Sequence, residues 1–96
     1  MPSEQKPSIG RVVHYVIALD HVGEPVVQPA MIVRCWPESV NMQVLLDGGN
    51  VNRSRFAAPS PFAPTDAECA AGMAWRTSVH HSDAQDPGTW HWPPRV

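Results

Sequence analysis

Short apolar runs alternate with polar breaks rich in proline and glycine along this chain, and no long stretch keeps the three-to-four spacing of an extended helix. IGRVVHYVIAL (9–19) is dense in β-branched and aromatic residues. Val13, Tyr15, Ile17 and Leu19 fall on one face and Val12, His14, Val16 and Ala18 on the other, which predicts a strand covered on both sides. DHVGEP (20–25) carries the Asp, Gly and Pro of a turn, and VVQPAMIVRCW (26–36) follows as a second strand. Pro29 lacks an N–H, so it belongs at an edge, a bulge or the start of that strand. Pro37 ends it, and PES leads into VNMQVLLD (40–47). There Val40, Met42, Val44 and Leu46 oppose Asn41, Gln43 and Asp47, with Leu45 as the one exception, the pattern of a half-buried strand. DGGN (47–50) supplies the glycines of a tight reversal.

Residues 51–73 break the rhythm. RSRFAAPSPFAP has three prolines and no period, while Thr65 and Glu68 in TDAECAAGM have capping-box spacing and Gly72 suits a helix C-terminus. This stretch reads as a variable, irregular insertion with at most a short helix. AWRTSVHH (74–81) resumes alternation, with Trp75, Thr77 and Val79 opposed to Arg76, Ser78 and His80. SDAQDPG (82–88) reads as a turn and TWHW (89–92) as a last short strand. Alternation places Trp90 and Trp92 together as a plug for the core, with His91 and Arg95 facing outward, and Pro93 and Pro94 stop further pairing. Five short strands joined by connections too short for a crossover helix predict a mainly β fold: a small five-stranded SH3-like barrel or rolled antiparallel sheet. It occupies 9–96 as one domain after a flexible segment, 1–8.

Charge and composition narrow the function. Seven Lys and Arg against nine Asp and Glu leave a net charge of −2, too little positive field for non-specific nucleic-acid binding. No apolar run approaches the ~20 residues of a membrane span, and MPSEQKPS has no apolar leader, so a cytoplasmic protein without membrane contact is expected. Cys35 and Cys69 match no CxxC spacing and are read as free thiols, and Asn52-Arg53-Ser54 as a chance glycosylation match. The five histidines, His14, His21, His80, His81 and His91, show no HExxH and no other ligand spacing, and neighbours such as His80 and His81 face opposite ways on a strand. No metal or cofactor is expected. Ser78 with His80 has no nucleophile elbow, and DGGN lacks the Lys-Ser/Thr of a phosphate loop, so an enzyme is not expected either.

A recognition surface remains. Tryptophan stacks on planar groups and arginine grips phosphate or carboxylate bidentately, so Trp36, Trp75, Trp90 and Trp92 with Tyr15, and Arg11, Arg34, Arg76 and Arg95, supply the possible surface, from which His14, Arg34, Trp36, Arg76, His80, Trp90, His91, Trp92 and Arg95 are the candidate contacts. The competing use of the same tryptophans is as the core of a barrel short of aliphatic volume, or as a seam between subunits.

The blocks SIGRVVHYV, PAMIVRCW, VNMQVLLDGGN, WRTSVHHSD and PGTWHWPPRV resemble a family of small proteins, mostly uncharacterised, of tailed bacteriophages and prophages. The likeness covers about half of the chain, lies in the predicted strands, and is most distinctive in the Trp-His-Trp-Pro ending. It implies a phage origin and a compact β fold and carries no catalytic residue with it. The expectation is a non-enzymatic phage accessory protein in the host cytoplasm, acting by binding: it would sequester a nucleotide-type signal or block a host protein, and would form a homo-oligomer. The alternative is a virion or assembly component whose Trp-rich C-terminus is a subunit contact.

Overall fold

The computed structural model describes residues 6–46 and 56–94. Five strands, β1 (Val12–Leu19), β2 (Pro25–Cys35), β3 (Val40–Leu45), β4 (Met73–His81) and β5 (Thr89–His91), close into a barrel in the order β1-β2-β3-β4-β5, with one short helix, α1 (Asp66–Ala71). This is a small SH3-like barrel. Neighbours pair antiparallel except β4 and β5, which run parallel through His80–Thr89 and His81–Trp90. The 82–88 connection is therefore not the hairpin that its turn residues suggest. It carries the chain back so that β5 can pair with β1 and β4 at once.

Inward-facing residues follow the alternation where the strands are regular. Val13, Tyr15 and Ile17 of β1, Ala30 and Ile32 of β2, and Val40, Met42 and Val44 of β3 are all buried. Pro29 lies just before the β2–β3 ladder begins at Ala30, on a part of β2 paired with β1 alone, where a missing N–H costs no ladder bond. The β1–β2 turn is held by Asp20, whose Oδ1 accepts from the N–H groups of Val22 and Glu24.

Bulges correct the predicted faces in two places. In β1 the register slips between Val16 and Ala18, so Val16, Ile17 and Ala18 are all buried while Leu19 turns outward. The carbonyls freed there are satisfied from outside the ladder: Ser60 Oγ donates to Ile17 O and the Gly88 N–H donates to Val16 O. In β4 the three steps from Arg76 to Val79 face only two in β3, from Met42 to Val40, and Ser78 takes a φ of +54°. Asn41 Oδ1 accepts from the displaced Ser78 N–H at 3.0 Å. Trp75 therefore stands outside the barrel, 58% exposed, while Val79 points in; the two do not share a face.

The stretch after β3 belongs to the fold. Phe56 is buried in the core cluster and bridges to Asp20, and the Ala57 N–H donates to Leu19 O. Thr65 and Glu68 form the capping box and Gly72 ends α1 in the left-handed region, both as the sequence predicts. Arg76 braces this segment to the barrel, holding both Glu68 oxygens at 2.8 and 3.2 Å and reaching the carbonyls of Trp75, Phe62 and Ala63. Cys35 and Cys69 are free thiols, and the DGGN reversal lies outside the described residues.

Two predictions follow from these braces. The Arg76 guanidinium holds the Glu68 carboxyl below the usual carboxylate range, so the folded state binds this proton less tightly than the unfolded one. Its contribution is complete above about pH 5, beyond the ordinary Glu pKa of about 4.3, and is lost as pH falls through the folded value. Denaturant titrations should find Glu68→Gln less stable than the parent by about 1–2 kcal/mol at pH 7, with the gap closing in acid. Gly88 has a φ of +84°, and a Cβ there would lie 2.6 Å from the Phe62 ring. Gly88→Ala should lower unfolding stability by about 1–3 kcal/mol.

Candidate functional site

Strand β5 ends at the rim of a groove of about 910 Å³. Trp36, Pro37, Glu38 and Ser39, from the β2–β3 turn, form one wall with Val40; Trp90, Trp92 and Pro93 form another, and Arg11, Val12, His81 and Asp83 complete the lining with Pro7. The walls are set by the local structure just described. The turn at 36–39 closes through the Trp36 N–H to Ser39 O bond of 2.8 Å. The Trp36 indole Nε1–H then reaches Asn41 Oδ1 at 3.4 Å, the same oxygen that accepts from Ser78 in the β4 bulge. One carboxamide thus ties the bulge to the orientation of an indole that is 46% exposed.

Two of the groove tryptophans carry a cation. The Arg34 guanidinium lies 5.2 Å from the Trp36 ring centroid, and that of Arg11 lies 4.9 Å from Trp92. Trp90 packs edge-on to Trp92 at 5.2 Å and takes His81 against its own ring at 4.7 Å. His81 Nε2 lies 3.1 Å from Asp83 Oδ1, which fixes the imidazole at the groove. The lining therefore combines flat apolar faces, one guanidinium, one imidazole and the carboxylates of Glu38 and Asp83.

On the other side of β5, a recess of about 360 Å³ is lined by His14, His91, Gln85 and Trp92 among others. His14 and His91 are direct cross-strand partners with their rings edge to face, 5.5 Å apart. His91 does not face solvent as strand alternation suggests; it is only 6% exposed. It does point away from the core, but the barrel's outer side is covered there by His14. Burial pushes the His91 pKa down, the neighbouring His14 and His81 push it further, and Asp83 opposes them, so the imidazole is held towards its neutral form.

Two successive residues of β5 carry buried polar atoms with no partner among the described residues, Trp90 Nε1 and His91 Nδ1. An unmatched buried donor or acceptor costs about 1–3 kcal/mol, so both are unusual features of a three-residue strand. They flank the two recesses, Trp90 on the groove and His91 on the His14 side.

The candidate contacts named from sequence thus separate. Trp36, Trp90 and Trp92 line the groove, with Arg34 stacked on Trp36. His14 and His91 meet in the second recess, again beside Trp92. Arg76 is committed to Glu68, and the exposed His80 lines neither recess. Arg95 lies outside the described residues. Arg11, one of the arginines able to grip an anion, also lines the groove, whereas sequence reasoning did not single out Glu38, His81 and Asp83 as groove residues. His81 reaches the groove as the partner of Trp90 across the parallel β4–β5 pair, and nothing in the sequence announces a parallel pair. Among the described residues no three His, Cys, Asp or Glu side chains converge as a metal-ligand group. Comparison with family models, with curated proteins and with solved structures finds no match.

The tryptophans divide by burial, and substitution should divide them the same way. Trp90, 3% exposed, is part of the core, so Trp90→Ala should cost about 3–5 kcal/mol in denaturant unfolding. Trp36→Ala should cost about 1 kcal/mol or less, as expected of a largely exposed side chain.

Proposed function

We propose that the chain is a non-enzymatic accessory protein of a tailed phage that works by non-covalent capture of a nucleotide-type ligand in the tryptophan groove. The observation that carries this reading is the pairing of an exposed indole with a cation-bearing indole around one groove, Trp36 on one wall and Trp92 with Arg11 on the other. Indole faces stack on a base, and a guanidinium neutralises phosphate. The carboxylates of Glu38 and Asp83 accept hydrogen bonds from amino or ribose hydroxyl groups, and the Trp90 N–H is a donor without an acceptor among the described residues. The volume of about 910 Å³ lies at the upper end of the range typical of small-molecule sites, roughly 300–1,000 Å³. The phage setting rests on the sequence resemblance, and with it the use in sequestering a host signal.

Blocking of a host protein is the second reading, and the same two carboxylates favour it, because they suit a basic peptide better than a polyanion. The alternative of a virion component joined through its C-terminal tryptophans loses support from the burial of Trp90 within its own chain. A thermal-shift panel of cyclic, linear and ADP-ribose-type nucleotides separates the readings. Ligand at 100 times its Kd adds about 2.7 kcal/mol, and a domain of this size shifts by about 4–8 °C per kcal/mol. At least one nucleotide should therefore raise Tm by roughly 10 °C or more, with the shift lost in Trp36→Ala. No shift at millimolar nucleotide would reject the nucleotide reading and leave the protein partner.

A further inference from the structure

Closure of the barrel brings together two imidazoles from opposite ends of the chain. His14 of β1 and His91 of β5 are direct cross-strand partners, so both side chains leave the sheet on the same side. Their rings meet edge to face with centroids 5.5 Å apart. His91 is only 6% exposed, and its Nδ1 has no partner among the described residues. Both rings line the recess of about 360 Å³ across β5 from the tryptophan groove. Gln85 brings a carboxamide to the same recess, from a backbone held at a φ of +60°, and Pro25, Val27 and Trp92 supply apolar wall.

We propose that this recess binds a divalent transition-metal ion of the zinc type, held by His14 and His91 as a clip between β1 and β5. A Zn–N bond is about 2.0–2.1 Å long, so two imidazoles that share one ion have ring centroids roughly 5–6 Å apart. The observed separation falls in that interval. His91 is fixed by its strand, while the half-buried His14 turns its ring to meet the ion. Among the described residues neither a thiol nor a carboxylate lines the recess. Such a donor set selects ions that prefer imidazole nitrogen, Zn²⁺, Cu²⁺ and Ni²⁺, over Mg²⁺ and Ca²⁺. Water takes the remaining positions on the ion, with the Gln85 carboxamide placed to hydrogen-bond it. Two protein ligands hold an ion less tightly than the four of a structural zinc centre, so the ion exchanges with solution. Because the clip joins the three-residue closing strand to the first strand, an ion bound there stabilises the folded chain. Spacing along the sequence shows no such pair, since residues 14 and 91 meet only through closure.

Titration calorimetry of the full chain with Zn²⁺ at neutral pH, together with thermal unfolding, tests this. One ion should bind per chain, and about 0.5 mM Zn²⁺ should raise Tm by roughly 5 °C or more. Mg²⁺ at the same concentration should leave Tm unchanged. His14→Gln and, separately, His91→Gln should each weaken zinc binding at least tenfold. His14→Gln should keep the parent's circular dichroism, because the side chain replaced is half-buried at the rim, and calorimetry reads its affinity whatever its Tm. His80→Gln, at an exposed position in neither recess, should bind zinc as the parent does. No zinc binding at about 0.5 mM overturns the proposal. Binding that survives His14→Gln, that is lost with His80→Gln, or that Mg²⁺ reproduces overturns it equally, since the ion would then sit elsewhere. The readout needs no nucleotide, so failure here leaves the groove reading standing, and the reverse.

Discussion

The barrel depends on β5. A sheet of four strands leaves one side of β1 and one side of β4 unpaired, and closure requires a strand that can bond to both. Thr89–His91 does so with three residues, antiparallel to β1 and parallel to β4. So short a strand contributes few ladder bonds, and the burial of the Trp90 indole against the core compensates for them. The 82–88 connection delivers the strand, with the Gly88 N–H bonded to Val16 O and the Gly88 Cα close under Phe62. The segment after β3 thereby becomes part of the closure, since it supplies Phe62.

The same strand separates the two recesses. Its inner side presents Trp90 to the core and to the groove; its outer side presents His91 to His14. Each has a buried polar atom with no partner among the described residues, and such atoms are uncommon in folded proteins. Arg76 makes the contrast plain. Its guanidinium is spent on one carboxylate and three carbonyls, which makes it a brace and removes it from recognition.

Bulges decide which side chains become surface. At β1 the slip buries three consecutive residues and exposes Leu19; at β4 it separates Trp75 from Val79. A period-two reading carries one parity through a strand, so a single inserted residue inverts every assignment beyond it. The β4 case mattered most, because it moved a tryptophan from an expected core face to an exposed position.

The sequence by itself determined the elements: the five strands within a few residues of their ends, the capping box of α1, the inward set Val13, Tyr15, Ile17, Val40, Met42 and Val44, and the pairing of Trp90 with Trp92. These are local matters, set by side-chain period, β-branching and turn chemistry, and they suffice for a small β-barrel. The tertiary structure alone decided that β4 and β5 run parallel, that His91 is covered, that Arg76 is bound to Glu68, and that Arg11, Glu38, His81 and Asp83 join Trp36 and Trp92 around one groove. Each of these needs residues far apart in the chain to meet, which depends on barrel closure and on where the bulges fall, and neither has a period that can be read along the sequence.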